Sequence, residues 1–285
     1  MRAGLELWAQ HAGADIDVVD DESKPERAVR IHEELAARGN RFVLGPYGSD
    51  STRALAKARA GSVVWNHGAA ADDVQRLAGV VSVTTPASRY LVALGRVVAK
   101  LRPGAATWLI TAPGRFARFA RNGLERESGS LGIELVSDPA EAEAVLFCGP
   151  LPWERERLRP LIGSGKLLGG LSPGLTAFPE LLESDPEGML APVQWHPSLR
   201  PAAKFGPASV PLEDYIAAQA YAAALIADRC LTLNRPDPLA AARALCTTTF
   251  FGAFELDAGG LQVGHRLSVI RWRSGRQELL LSDAA

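Results

Sequence analysis

What most constrains this chain is an alternation of strand and helix signals that breaks off and then starts again. Short apolar runs, each closed by a small-residue loop, alternate with amphipathic stretches of helical period. Ile16-Asp17-Val18-Val19 predicts a strand ending in Asp20-Asp21-Glu22-Ser23. Ser23 suits the cap of the next helix, with Pro25 in its first turn and Ala28, Ile31 and Leu35 along one apolar stripe. Arg41-Phe42-Val43-Leu44 and Ser62-Val63-Val64-Trp65 predict two more strands, each followed by a loop and a helix start. Val80-Val81-Ser82-Val83 adds another, and Ser88 opens a helix through Lys100. Arg102-Pro103-Gly104 interrupts the series. A second one begins at Trp108-Leu109-Ile110, with a helix over 115–128, strands at 133–136 and 144–147, and a helix over 153–163. Strands joined by helices in this way predict a parallel sheet covered on both faces.

Residues 212–233, after a Pro-rich stretch from Pro192 to Pro211, predict the longest helix, and 239–245 a shorter one. The tail changes character. Residues 250–256, 266–273 and 277–281 predict antiparallel strands, joined by Asp257-Ala258-Gly259-Gly260 and Ser274-Gly275 as hairpin turns. The 285 residues suit two α/β domains with a core each. The restart after Pro103 and the Pro-rich crossover predict one lobe from 1–103 plus 196–245 and a second from 104–195 plus 246–285.

Charge narrows the function classes. A net charge of -1 with no strongly basic half predicts no nucleic-acid partner. No run of about 18 apolar residues occurs, so no membrane span is expected. Glu6, Gln10 and His11 fall where a secretory signal needs an apolar stretch, so the chain as written carries no export signal. Cys148, Cys230 and Cys246 lie far apart without metal-type spacing and suit small buried positions, with one pair still able to form.

Two successive strand–loop–helix junctions, at 45–52 and 66–73, carry the strongest functional signal. Ligands of parallel sheets sit outside the carboxyl ends of the strands. Gly45 and Gly48 admit close backbone approach, and Tyr47 lies between them. Ser49 offers a hydroxyl at a helix start, where free N–H groups attract a carboxylate; the plainer alternative is that Ser49 only caps its helix. The second loop, Asn66-His67-Gly68-Ala69-Ala70-Ala71, exposes backbone donors and carbonyls with little side chain in the way. His67 is either a direct hydrogen-bonding group or a structural one. Asp72 and Asp73 beside it suit the helix dipole, so no metal site is expected.

Other motifs fall away. Gly170-Leu171-Ser172-Pro173-Gly174 matches a hydrolase nucleophile elbow, but Pro173 lacks the N–H that an oxyanion hole needs there. Gly163-Ser164-Gly165-Lys166 lacks the upstream glycine of a P-loop. No nucleophile–base set and no cofactor loop is evident, so neither an enzyme nor a cofactor is expected.

The order of these pieces resembles the branched-chain-amino-acid binding proteins of ABC importers, the Leu/Ile/Val-binding family with the type I periplasmic-binding-protein fold. The resemblance rests on Val18 to Ser23 with Pro25 and Ala28, on Val43-Leu44-Gly45-Pro46 with Ser49, on Gly132, on Glu187-Gly188, and on Phe251 to Asp257 with Gly260. It covers nearly the whole chain. It implies two Rossmann-like lobes joined by hinge strands, although the chain starts at the first helix, so that the first strand of lobe one is missing and the start looks truncated. It also implies that Ser49 binds a ligand carboxylate, that Asn66, His67, Gly68, Ala69 and Ala70 bind carboxylate and ammonium, and that Phe116 packs on the ligand. Ser172 falls where relatives often carry an acidic ammonium partner.

The function so implied is that of an extracytoplasmic solute-binding protein. It would hold a small polar metabolite, an amino acid or a related carboxylate or amide, in the interlobe cleft and deliver it to an ABC permease. The alternative is a cytoplasmic ligand sensor of the same fold, which the missing export signal would suit.

Overall fold

The computed structural model describes residues 1–39, 42–58 and 63–282. Arg41 and Ser62, expected at two strand starts, lie outside them. The chain divides into two compact units. Unit 1 comprises 1–86 and 199–266, and unit 2 comprises 87–198 and 267–283.

Unit 1 opens with α1 (Arg2–Ala12), α2 (Pro25–Ala37) and α3 (Ser49–Ala58). β1 (Val64–Asn66), α4 (Asp72–Gln75) and β2 (Val80–Ser82) follow. β1 and β2 pair in parallel, Asn66 opposite Ser82, and Leu44 adds a parallel bridge to Trp65. Ile16–Val19 is not a strand. Among the described residues no segment pairs with it, and Val18 and Val19 are exposed. An apolar run becomes a strand only where a partner satisfies its backbone groups.

Unit 2 begins with a turn of 3-10 helix at 87–89 and α5 (Tyr90–Leu101). It continues through β3 (Ala106–Thr111), α6 (Arg115–Leu131), β4 (Glu134–Val136), β5 (Ala144–Cys148) and α7 (Leu151–Leu158). β6 (Leu167–Gly169), α8 (Phe178–Leu182) and β7 (Leu190–Val193) complete this segment. The chain returns to unit 1 with α9 (Tyr215–Leu233), α10 (Pro238–Ala244), β8 (Thr247–Thr249) and β9 (Gly252–Phe254). It ends in unit 2 with β10 (Ser268–Arg273) and β11 (Arg276–Ser282).

Among the described residues the unit 2 sheet has the order β11-β10-β7-β6-β5-β3-β4. Neighbours from β7 to β4 are parallel, and β10 is antiparallel to both β7 and β11. The β10–β11 turn falls at Ser274-Gly275 with positive φ at both residues, the requirement of a type I′ hairpin. Leu91, Leu94, Val97 and Val98 of α5 share one core with Leu124 of α6, Leu146 of β5, Leu190 of β7 and Val269 of β10.

That core explains why the units divide at 86–87, 198–199 and 266–267 rather than at the expected 103, 195 and 245. Helix 90–101 buries its apolar face under the second sheet, so Pro103 punctuates a helix end and not a domain end. Segment 246–266 stays with unit 1, tied by Gln262 N–H to Gln75 Oε1 at 3.2 Å and by the Arg76–Asp257 ion pair.

In unit 1, α1 lies directly on α9. A Cβ on Gly4 would come 1.9 Å from the carbonyl oxygen of Ala217, so only glycine permits this approach. α9 is the one described helix long and apolar enough to cross a membrane, although its apolar residues form no uninterrupted run; 61% of that stretch is buried within the protein. The ring of Trp8 in α1 stacks on Phe42, which in turn tilts against Trp65 of β1.

Candidate functional site

In unit 1 the site residues gather where β1 and β2 end. Asn66 is fully buried at the end of β1, and its side chain organises the loop that follows. Oδ1 accepts the N–H groups of Gly68 at 3.1 Å and Ala69 at 2.7 Å, while Nδ2 donates to the Ala69 carbonyl at 2.8 Å and to Ser82 Oγ. This is an Asx-type turn, with the side chain standing in for backbone partners. Asn66 was expected to reach a ligand; its amide is instead fully engaged in shaping the loop. Ala69, Ala70 and Ala71 are buried and lead into α4.

His67 is 1% exposed, and its Nδ1 has no hydrogen-bond partner. Burial lowers its pKa to about 4, so the ring is neutral at neutral pH. The preceding loop passes beside it. A Cβ on Gly45 would lie 3.0 Å from His67 Nε2, and the Tyr47 ring centroid is 6.0 Å from that of His67. Tyr47 covers Gly68 so closely that a Cβ there would sit 2.3 Å from its ring. Burial, before any other influence, raises the pKa of the Tyr47 phenol, and the Gln219 side chain of α9 opposes that rise.

Ser49 opens α3 half-buried. No hydrogen bond of its hydroxyl occurs among the described residues. The first N–H groups of a helix lack intrahelical partners, and the hydroxyl stands beside them. Arg53 holds both oxygens of Asp73 at 2.9 Å, which fixes the start of α3 against the start of α4. Thr84, just beyond β2, also buries a hydroxyl without a partner. Sequence reasoning missed Thr84, because nothing local distinguishes it from a strand-end threonine.

In unit 2, Phe116 lies in the first turn of α6 and packs edge-on against Tyr90, with centroids 5.1 Å apart. The Tyr90 hydroxyl accepts a hydrogen bond from Gln194, just after β7. Ser172 lies in a turn of 3-10 helix after β6; its N–H donates to Glu154 Oε2 at 2.7 Å, and its side chain favours the ionised form of that carboxylate. Glu154, on α7, is the second residue that sequence reasoning missed; its partners lie 17 and 18 residues away, across a strand.

All three cysteines are free thiols. Among the described residues no group of three or more His, Cys, Asp or Glu is placed to hold a metal ion.

No protein-family model and no curated protein matches the sequence. Solved structures match over almost its whole length. The chain resembles the branched-chain amino acid transporter substrate-binding protein LivJ of Streptococcus pneumoniae, in complex with isoleucine, at 16% identity and a TM-score of 0.79, over 98% of this chain and 93% of that one. It resembles the leucine-binding protein LivK of Thermotoga maritima at 14% identity and a TM-score of 0.78, over 98% and 92%. A solute-binding protein of an R. palustris ABC transporter, in complex with benzoate, matches at 17% identity and a TM-score of 0.73, over 99% and 92%. The chain has the two-lobed type I periplasmic-binding-protein fold of these ABC-transporter substrate-binding proteins.

Proposed function

We propose that the chain is the solute-binding component of an ABC importer and holds a small carboxylate-bearing metabolite without transforming it. The observation that carries this reading is the buried, unpartnered Nδ1 of His67. It lies in the loop after β1, next to the loop that leads to the unengaged hydroxyl of Ser49. A buried polar atom without a partner costs about 1–3 kcal/mol, which a ligand at this site would recover. In this reading Ser49 and the α3 start hold the carboxylate. His67 and the backbone of Gly68, Ala69 and Ala70 hold the adjoining polar group, and Tyr47 supplies an aromatic wall. Asn66 and Ser172 act through the loops they shape. An ABC permease is the partner, and the protein works outside the cytoplasm.

One observation favours a ligand without an ammonium group. Glu154 is the carboxylate beside Ser172, and three backbone N–H groups already occupy its oxygens. Structural neighbours bind benzoate and 4-hydroxybenzoate as well as isoleucine and leucine. An aromatic or aliphatic acid is then the better candidate than an α-amino acid.

Calorimetric titration with isoleucine, leucine, benzoate and 4-hydroxybenzoate, alongside thermal unfolding, tests both points. Ligand at about a hundredfold excess over its Kd adds about 2.7 kcal/mol of stability, a readily measured rise in Tm. Heat and a Tm rise with an acid but not with an amino acid support the second point. Silence across the panel, together with no small molecule released from freshly purified protein, overturns the first.

A further inference from the structure

Glu154 is fully buried, yet it reaches back and across from the first turns of α7. Oε1 accepts the N–H of Gly149 at 2.9 Å and of Leu171 at 3.2 Å, and Oε2 accepts the N–H of Ser172 at 2.7 Å, while the Ser172 side chain also favours the ionised form. Gly149 closes β5, and Leu171 and Ser172 follow β6. One carboxylate thus joins the ends of two adjacent parallel strands, on the edge where such sheets meet their ligands. Converging N–H groups of this kind form a nest for an anion, and here the chain supplies the anion itself.

We propose that Glu154 is a positioning residue whose ionised carboxylate holds the loops at 149–150 and 170–172 together, and that its protonation loosens the Ser172 turn, so that this edge of unit 2 responds to pH. A protonated carboxyl offers one oxygen as a donor, and that oxygen no longer suits a site built from donors. Among the described residues no cation contributes to holding Glu154 ionised. Cys148 on β5 is a titratable neighbour, a buried thiol held protonated by burial and then by the Glu154 charge. Arg121 of α6 bonds Thr111 and Glu125. Arg159, in the turn after α7, bonds the Leu182 carbonyl and Glu183. Arg157 of α7 lies over the Trp153 ring, and the 172–174 turn contributes only the Ser172 hydroxyl. Burial pushes the carboxyl up to about 7, against the opposing pull of its donors, which places the change within the ordinary working range.

That this edge meets a ligand rests on the function proposed above. The carboxylate contacts and their titration do not, so the test uses the ligand-free full chain. Amide 1H–15N spectra are followed from about pH 5 to about pH 9. The amides of Gly149, Leu171 and Ser172 are expected to move on one common curve with a midpoint near 7. Glu154→Gln should flatten all three curves. Ser172→Ala removes a donor to the charged form, so it should move the midpoint upward while leaving the curves in place. Amides that stay still across this range, or that titrate identically in Glu154→Gln, overturn the proposal. Should Glu154→Gln fail to fold, an unchanged midpoint in Ser172→Ala overturns it as well.

Discussion

The Thr85 hydroxyl lies 2.6 Å from Nδ1 of His265, a bond between residues 180 apart in the sequence. The other ring nitrogen, Nε2, is 3.1 Å from the Phe251 carbonyl and so carries the proton, which makes Thr85 the donor. The His265 ring also stacks on Phe251 at 4.6 Å. Thr85 and His265 each stand one residue before the chain leaves unit 1, at Pro86 and Arg266. Thr85→Val keeps the shape and leaves the buried nitrogen without a partner. The expected cost is about 1–3 kcal/mol of stability, read from the midpoint of urea unfolding.

Acid should act oppositely on the two units. His67 and His265, both in unit 1, are lowered by burial from 6.5 to about 4. The unfolded chain binds those protons near pH 6.5 and the folded one only near pH 4. Their stabilisation is thus complete above 6.5 and lost as pH falls from 6.5 to 4. Each contributes roughly 3 kcal/mol over that window. Glu154, in unit 2, is raised from 4.5 to about 7, so the folded state takes up its proton first and unit 2 gains stability as pH falls from 7 to 4.5. Scanning calorimetry should show one transition near neutral pH separating into two in mild acid, the earlier one belonging to unit 1. A transition that stays single while shifting would contradict this assignment.

Ser49→Ala and Asn66→Ala should fail in different ways. Among the described residues the Ser49 hydroxyl makes no hydrogen bond, so its removal should leave Tm nearly unchanged. If it donates to a ligand carboxylate, affinity falls by about 1.5–3 kcal/mol, roughly ten- to hundredfold. Asn66 supplies four hydrogen bonds to its own loop and to Ser82. Its loss should lower stability by about 2 kcal/mol or more, with weakened binding as a consequence of the altered loop. Calorimetric titration beside thermal unfolding separates the two patterns.

Gly68→Ala should displace Tyr47. The added methyl would lie 2.3 Å from the Tyr47 ring and 2.7 Å from its carbonyl oxygen, so both side chain and backbone must shift. Overpacking of this kind costs about 1–3 kcal/mol. Removing the ring relieves the clash with it, so Gly68→Ala should cost much less in a Tyr47→Ala background. Additive losses in the double variant would show that the ring had not moved.

The order of elements was legible because it is written in local signals. Val63-Val64-Trp65 and Ala144 to Cys148 are apolar runs too short for helices, and Gly132 and Asp214 stand where helices end or begin. The loops at 45–48 and 66–71 were legible for the same reason. Asn66 was read as a ligand group, although Asn two residues before Gly is itself a local turn signal. What was not legible depends on distant contacts. The expected strand at Ile16–Val19 has no partner among the described residues, a fact that the run itself does not contain. Pro103 looked like a domain border because punctuation marks element ends, whereas a border depends on which sheet α5 covers. Glu154 resembled any other charge in the first turns of a helix until the fold brought the amides of Leu171 and Ser172 to it.

The three passages of the chain between units have a consequence for proteolysis. A single cut at 198–199 would yield 1–198 and 199–285, and neither fragment contains a whole unit. The fragments would stay joined by two independent sets of contacts. α1 lies on α9 in unit 1, and β10 pairs with β7 in unit 2, with Ser268 opposite Val193. Holding one pair raises the local concentration of the other, so that dissociation requires both to open at once. The nicked protein should therefore run as an intact species without denaturant and as two pieces only with it. Separately expressed halves should reassemble when mixed.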